Sequence, residues 1–288
     1  MTKATSEVCA SFAVPAEAYD RLMGRYLPRL GPAFASAAGV RAGMTALDVG
    51  CGPGGLTREL VARLGADSVA AIDPSAPFVQ ACRARNPGVD ARVGRAEQLP
   101  FADASFDVTL ASLVVGFMSD AEAGIREMAR VSKPGGTVAA CFWDLHRMPA
   151  LTTFWEAATQ LNPAPGGEMR RRGGAAGELA ALLRETGLTD VKESTLTASA
   201  DYADFADWWE PFTLGVGPAG QYHASLTPAD RQALRDRANE LLGNPSGPFT
   251  LTAHAWCATA HRPQPPRPGW PATARSPRSE SATFAPPD

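Results

Sequence analysis

Between residues 44 and 143, strand-like and helix-like patterns take turns, and this alternation restricts the chain more than any other feature. Residues 44–49 form a short apolar run closed by a glycine cluster at residues 50–55. Behind it Leu56, Leu60, Val61 and Leu64 recur at helical spacing, Arg58, Glu59 and Arg63 face elsewhere, and Gly65 sits where a helix turns off. Residues 68–72 read as a second strand, and Asp73-Pro74-Ser75 caps a helix that buries Phe78, Val79 and Cys82. Residues 89–93 and 106–112 supply a third and a fourth strand. Ser119-Asp120-Ala121-Glu122 has the form of a capping box, with the Ser119 hydroxyl as cap, and the helix it opens stops at Lys133-Pro134-Gly135-Gly136 before a fifth strand at 137–143. Parallel strands need crossover connections, and helices of this length supply them while covering both faces of the sheet. The fold class is α/β.

Beyond Trp143 the pattern loosens. Residues 162–177, rich in Gly, Pro and Arg, read as a loop. Residues 179–186 are helical and stopped by Gly187, and 188–196 form a sixth strand. Helices are expected over 201–214 and 227–242, the second with Thr227 as N-cap and Pro228 in the first helical position. Residues 249–260 read as the last strand. Residues 263–288 are Pro-, Ser- and Arg-rich without periodicity and are expected to be disordered. The expected organisation is one domain over 1–262, with an N-terminal lid helix at about 15–38 and a helical cap at about 199–247, followed by that tail.

Composition narrows the function classes. With 288 residues, 45% hydrophobic, the chain can bury a large core, and 20% charged residues with a net charge of −3 give no basic excess for nucleic acid. The apolar run 108–118 is broken by Thr109, Ser112 and Gly116 and is shorter than the about 20 residues a bilayer needs. The first fifteen residues lack the charged-then-apolar order of a signal peptide. Five cysteines (Cys9, Cys51, Cys82, Cys141 and Cys257), odd in number and never in a C-x-x-C pair, argue against a disulfide framework and against a bound metal. A cytoplasmic chain without membrane or nucleic-acid partner is the expectation; oligomeric state is not legible.

Gly50-Cys51-Gly52-Pro53-Gly54-Gly55 matches G-x-G-x-x-G, and Asp73 follows Gly50 by 23 residues, near the place of a ribose-binding acid. The loop alone therefore admits a nicotinamide-dependent oxidoreductase. Two details weigh against a pyrophosphate. Pro53 removes a backbone N–H from the middle of the loop, where an anion wants donors. Asp48 sits inside the first strand, where a buried carboxylate is costly unless paired.

The ordered strings Leu47-Asp48-Val49-Gly50-Cys51-Gly52-Pro53-Gly54-Gly55, Ala71-Ile72-Asp73, Gly94-Arg95-Ala96-Glu97-Gln98-Leu99-Pro100-Phe101, Ser105-Phe106-Asp107 and Lys133-Pro134-Gly135-Gly136 carry a resemblance. Together they resemble the class I methyltransferases that use S-adenosylmethionine (SAM), in particular the group related to ubiquinone/menaquinone biosynthesis. The likeness is close over about residues 45–142 and loose as far as His261. It implies a Rossmann-like doubly wound sheet of seven strands, the last antiparallel, with SAM lying across the carboxyl ends of the first strands. Carried over by position, Gly50, Gly52 and Gly54, with Cys51 between them, let the backbone approach the methionyl part, and Asp48 orders the loop and faces the amino group. Asp73, next to Pro74, takes both ribose hydroxyls; Ala96 and Glu97 face adenine, and Ala111 and Ser112 line the site. The family's usual acid before the Ala-Glu pair is here Arg95, which has no acceptor for the adenine amino group.

The resemblance also implies a helix closing over the cofactor at residues 19–26. Tyr26 would cover SAM, Arg25 would meet its carboxylate and Tyr19 would reach the acceptor; an amphipathic helix packed on the domain is the competing reading. Trp143, at the end of the fifth strand, is assigned to the acceptor. Phe205, Trp208, Trp209, Phe212 and Tyr222 are dense enough between the last two strands to suggest a substrate cap formed by Trp209, Phe212 and Tyr222, or else ordinary packing. Methyl transfer is an in-line displacement, so orientation and exclusion of water carry much of the catalysis. Where a base is used, His146 and His223 are the first candidates, then Asp144 and Glu210. Arg170-Arg171-Arg172 either steers an acidic substrate or is a solvated loop. The leading reading is methyl transfer to a small molecule, with a protein or RNA methyltransferase and the oxidoreductase as alternatives. The atom methylated is not readable, because one fold hosts C-, N- and O-methylation.

Overall fold

The computed structural model describes residues 14–162 and 171–265. Cys9, Arg170 and tail residues 266–288, for which expectations were given above, lie outside the described residues.

Strand β1 (Ala46–Val49) is buried at every position, as a central strand covered on both faces must be. Strands β2 (Val69–Asp73) and β4 (Phe106–Ser112) pair with it in parallel on either side, Leu47 standing opposite Ala70 and Thr109. Strand β3 (Asp90–Val93) extends the sheet beyond β2, and β5 (Ser132–Trp143) extends it beyond β4. The last strand, β7 (Phe249–His261), enters antiparallel between β5 and β6 (Thr189–Tyr202), with Cys141 facing Cys257. The seven-stranded order is β3-β2-β1-β4-β5-β7-β6. The order reverses at β1, so the crevice between the carboxyl ends of β1 and β4 is the switch point where an open α/β sheet receives ligands.

Helices α1 (Ala16–Leu22), α2 (Leu27–Ala37), α3 (Gly55–Leu64), α4 (Ala76–Arg85) and α5 (Ala121–Val131) follow in chain order. After β5 come α6 (Pro149–Leu161), α7 (Glu178–Glu185), α8 (Phe205–Trp209), α9 (Gly217–Ser225) and α10 (Pro228–Leu241). Helix α2 packs on α3 and β6, α3 on α4, and α5 on α7, so helices shield the sheet in separate groups. Among the described residues no helix is long and apolar enough to cross a membrane, and no cluster of side chains suits a metal ion. Cys51, Cys82, Cys141 and Cys257 are free and buried.

Several elements differ from the sequence reading, each for a local reason. The single lid helix over 15–38 is two helices, interrupted by a 3-10 turn at Gly24–Tyr26; a Cβ on Gly24 would lie 2.9 Å from Asp20 Oδ1. The cap of α5 is Asp120, whose carboxylate accepts from Ala123 N at 2.9 Å, while the Ser119 hydroxyl donates to Glu97 at 2.6 Å. Strand β6 runs on to Tyr202 because Leu196, Ala198, Ala200 and Tyr202 are buried with a period of two. The helix expected from 201 therefore starts at Phe205, capped by Asp204 through Asp207 N at 2.8 Å, and closes as a 3-10 turn at Glu210–Leu214. Helices α6 and α9 were not anticipated. The first carries a buried stripe of Ala150, Leu151, Phe154, Trp155, Ala157 and Ala158, whereas glycine and proline in α9 hide its helical character.

Candidate functional site

A cavity of about 330 Å³ opens at the carboxyl ends of β1, β2, β4 and β5. It is bounded by Gly50 and Gly52 after β1, by Asp73, Pro74 and Ser75 at the end of β2, and by Gly94, Arg95, Ala96 and Glu97 after β3. Ser112 and the segment to Ser119 close it behind β4, and Phe142 and Trp143 behind β5.

The glycines of the loop serve different ends. A Cβ on Gly50 would lie 2.4 Å from Val114 Cγ2, so this glycine lets the loop pack on the chain that leaves β4. A Cβ on Gly54 would lie 2.5 Å from Asn86 Nδ2 and 3.0 Å from Cys82 Sγ, so this one seats α3 against α4, away from the cavity. Gly52 lines the cavity at φ +53° with nothing within 4 Å of its missing Cβ, which leaves room for a ligand to approach the backbone. Cys51, assigned to the cofactor, points into the core and does not line the cavity.

Two carboxyls stand beneath this loop. Asp73 lines the cavity, its Oδ2 accepting from Gly52 N at 2.9 Å and its Oδ1 from Ser75 N at 2.8 Å. Burial pushes its pKa up to about 6, against the pull of those two N–H groups. Asp48 is fully buried behind the loop; one oxygen accepts from the Thr57 hydroxyl at 2.7 Å, and Oδ1 is buried with no partner among the described residues. Desolvation raises it to about 7. Asp48 is thus one layer removed from the cavity surface, and it ties the loop to α3 where direct contact with an amino group was expected.

At the β3 end, Glu97 accepts from Ser119 N at 2.7 Å, from its hydroxyl at 2.6 Å and from Asp120 N at 3.3 Å, with Arg95 3.5 Å away. Those donors outweigh burial and hold Glu97 below the usual range. Ala96 lines the cavity beside it, whereas Ala111, fully buried in β4, leaves that position to Ser112.

The N-terminal segment divides at its turn. Tyr19 lines the cavity, edge-on to Phe78 at 5.5 Å, and burial with Asp73 nearby holds its phenol protonated well above the ordinary value. Tyr26, beyond the turn, is fully buried with its hydroxyl 3.1 Å from that of Tyr202 and its ring against Trp143. Arg25 clamps Asp207 at 2.9 Å and lies over the Tyr202 ring. Neither Tyr26 nor Arg25 reaches the cavity, because Gly24–Tyr26 turns the chain by a tighter helix than the seven-residue spacing assumed.

The residues assigned to the acceptor depart furthest from expectation. Trp143 lines the cavity, but Trp209, Phe212 and Tyr222 do not. They form an aromatic layer on α6, with Phe154 stacked on Phe212 at 4.6 Å and Trp155 5.5 Å from Tyr222. His223 belongs to that layer, 5.6 Å from Trp209, its pKa lowered by burial and then by Arg231. His146 is exposed, Asp144 accepts from His146 N at 3.2 Å, and Glu210 is paired with Arg21. None of the proposed bases lines the cavity. In their place stand Leu145, Leu151, Val216, Pro218 and Arg171. Arg171 lies over the Phe117 ring at 4.3 Å and donates to Gly116 O at 3.0 Å, while Arg172 reaches Glu122 and Glu185 on the outside. Val216 and Pro218 escaped notice with helix α9, and Arg171 was one of three arginines in a row with no signal to single it out.

Residues 47–140 match the family described as methyltransferase domain. A malonyl-[acyl-carrier protein] O-methyltransferase of Erwinia billingiae is 33% identical over 150 residues, 52% of this chain. The match spans only 58% of that relative's length. An uncharacterised protein of Mycobacterium tuberculosis is 29% identical over 235 residues, covering 77% of this chain and 85% of its own. Among solved structures, the YcgJ protein of Bacillus subtilis superposes with a TM-score of 0.54 at 19% identity, over 82% of this chain and 98% of that one.

Proposed function

We propose that this chain, a member of the class I methyltransferase family through its domain at residues 47–140, binds SAM in the β1–β4 crevice and methylates a small molecule. The observation that carries this reading is Asp73 beside Gly52: a buried acid and an unobstructed stretch of backbone at one end of the cavity. Asp73 would take the ribose hydroxyls with lone pairs not used by Gly52 and Ser75, and the Gly52 backbone would meet the methionyl part. The Ala96–Ser119 edge would receive adenine through backbone groups, since Glu97 is already engaged by Ser119 and Asp120.

Charge separates this reading from a dinucleotide. The Gly52 N–H is taken by Asp73, Pro53 has none, and two acids lie under the loop, so a pyrophosphate would meet repulsion without donors. A cation is favoured there by the same field. When bound, SAM supplies a methyl group on a positively charged sulfur. The protein's own part is to hold the acceptor in line and to exclude water, with Tyr19, Leu22, Met23 and Trp143 as walls.

The small-molecule reading is supported by a cavity of about 330 Å³, the size of a small-ligand pocket, within one proposed domain of residues 1–262 with a lid at 15–38 and a cap at 199–247. The buried free thiols suit the reduced cytoplasm. Incubation with methyl-labelled SAM and a fractionated cell extract tests it. Label should appear in the low-molecular-weight fraction together with S-adenosylhomocysteine; label confined to protein or RNA would refute the reading.

A further inference from the structure

Cys51 sits between Gly50 and Gly52 in the loop after β1, and Cys82 sits on α4. Their thiols are hydrogen-bonded to each other. Cys82 Sγ also stands 3.6 Å from Thr57 Oγ1 and 3.8 Å from Asn86 Nδ2. A glycine brings the loop this close: a Cβ on Gly54 would lie 3.0 Å from that sulfur and 3.1 Å from the Cys82 Cα. The turn from Gly54 N to Cys51 O, 3.0 Å long, then fixes where Cys51 stands. Two thiols from separate elements thus meet beneath the backbone that borders the cavity, and neither lines it.

The hydrogen bond between them divides their roles. It favours the ionised form of Cys82 and holds that thiol below its ordinary range, while the same bond and burial keep Cys51 protonated. A sulfur inclined to ionise, with a second sulfur beside it, is the arrangement of an oxidation-sensitive pair. We propose that Cys51 and Cys82 are a site of reversible modification, joined as a disulfide by a hydroperoxide, and that this bond shuts the cofactor site. Cys51 is 6% exposed and Cys82 fully buried, so the oxidant arrives past Gly52, whose missing Cβ has nothing within 4 Å. The Cys82 sulfur attacks the peroxide; S–O forms as O–O breaks, and the departing oxygen takes the Cys82 proton. The Cys51 sulfur then attacks Cys82; S–S forms as S–O breaks, and hydroxide leaves with the Cys51 proton as water. Two thiols are oxidised, one hydroperoxide is reduced to an alcohol and water, and exchange with a small thiol reverses the change.

The bond would move the loop and not the helix. A disulfide holds its sulfurs about 2.05 Å apart, well inside the separation of two hydrogen-bonded sulfurs. Helix α4 is anchored by Phe78, Val79 and Cys82, all buried, whereas Cys51 lies between glycines at φ +73° and +53°. Cys51 is therefore drawn towards α4, which pulls Gly52 N away from Asp73, its partner at 2.9 Å. Oxidation should weaken cofactor binding, and bound cofactor should slow oxidation; this consequence rests on the cofactor reading above. Cys141 and Cys257 form a contrast. They stand opposite each other on β5 and β7, each strand paired on both sides, with no loop free to give.

The test exposes the full chain, alone and saturated with S-adenosylhomocysteine, to hydrogen peroxide. Remaining thiols are alkylated and the digest is read by mass spectrometry. The peptides carrying Cys51 and Cys82 should appear joined, lighter by two hydrogens than the separate thiols, and more slowly when S-adenosylhomocysteine is bound. In calorimetry the joined chain should bind S-adenosylhomocysteine about tenfold or more weakly, the scale of one lost hydrogen bond, and dithiothreitol should restore the affinity. Cys51→Ser and, separately, Cys82→Ser should each show an affinity that peroxide leaves unchanged. Absence of the Cys51–Cys82 link, a link formed between Cys141 and Cys257 in its place, or undiminished affinity of the joined chain would overturn the proposal. So would a serine variant whose affinity peroxide still lowers. Failure of the reduced parent chain to bind S-adenosylhomocysteine overturns the cofactor reading instead, while the link is still scored in the digest.

Discussion

Asp73 and Asp48 are both held above the ordinary carboxylate range by burial, at about 6 and about 7. A folded-state pKa above the unfolded one means that the folded chain binds the proton more tightly. Each acid therefore subtracts stability as pH rises from about 4 towards 7, the window between its unfolded and folded values. Asp48→Asn removes one such penalty, so its melting temperature relative to the parent should be higher at about pH 8 than at about pH 5. A difference that does not change with pH would show that Asp48 is ionised without penalty in the fold. Asp73→Ala should weaken SAM binding by roughly 2–4 kcal/mol, through lost charge-assisted hydrogen bonds and a loosened Gly52 N–H. Undiminished affinity in the folded variant would remove Asp73 from the site. At this scale much was legible: Asp73, Gly50 and Gly52 border the cavity, as their place between strand and helix implies. Asp48 and Gly54 carry the same motif but act through α3 and α4, a distinction of depth that a one-dimensional string does not contain.

The N-terminal helical stretch is joined to the end of β6 and the turns that follow it by arginines spaced four apart, Arg21 to Glu210, Arg25 to Asp207 and Arg29 to Asp201. Only the middle pair is substantially shielded, with side chains 18% and 30% exposed against 42% and 51% for Arg21 and Glu210. Shielding strengthens an ion pair, and Arg25 adds its position over the Tyr202 ring. Arg25→Ala should cost about 1–3 kcal/mol of stability and Arg21→Ala less than about 1, measured by urea unfolding; equal losses would deny the middle pair its role. Trp209→Ala should cost about 3–5 kcal/mol as a large-to-small core change, with SAM affinity held within about twofold. A selective loss of acceptor turnover at unchanged stability would return Trp209 to the acceptor wall. Aromatic density between two strands fits a cap and a core equally well, and what decides is α6, whose Phe154 and Trp155 occupy the other side of the layer.

For the whole molecule, the strand–helix alternation was enough to foresee a parallel sheet covered by helices, since crossover length leaves few arrangements, whereas the antiparallel last strand was implied by the family resemblance. The acceptor end was not foreseeable in that way. Leu151, Arg171 and Val216 come from separate stretches of the later chain and meet only when β5 and α9 bring them to the same rim. On the proposed reading the β1–β4 crevice favours a cationic nucleoside over an anionic dinucleotide, because acids and a missing donor lie where a pyrophosphate would sit. Calorimetric titration of the parent chain with SAM and, separately, with NAD tests it directly. Saturable binding of one SAM per chain is expected, abolished or strongly weakened in Asp73→Ala, with no heat of binding from NAD. Saturable NAD binding with none for SAM would contradict it.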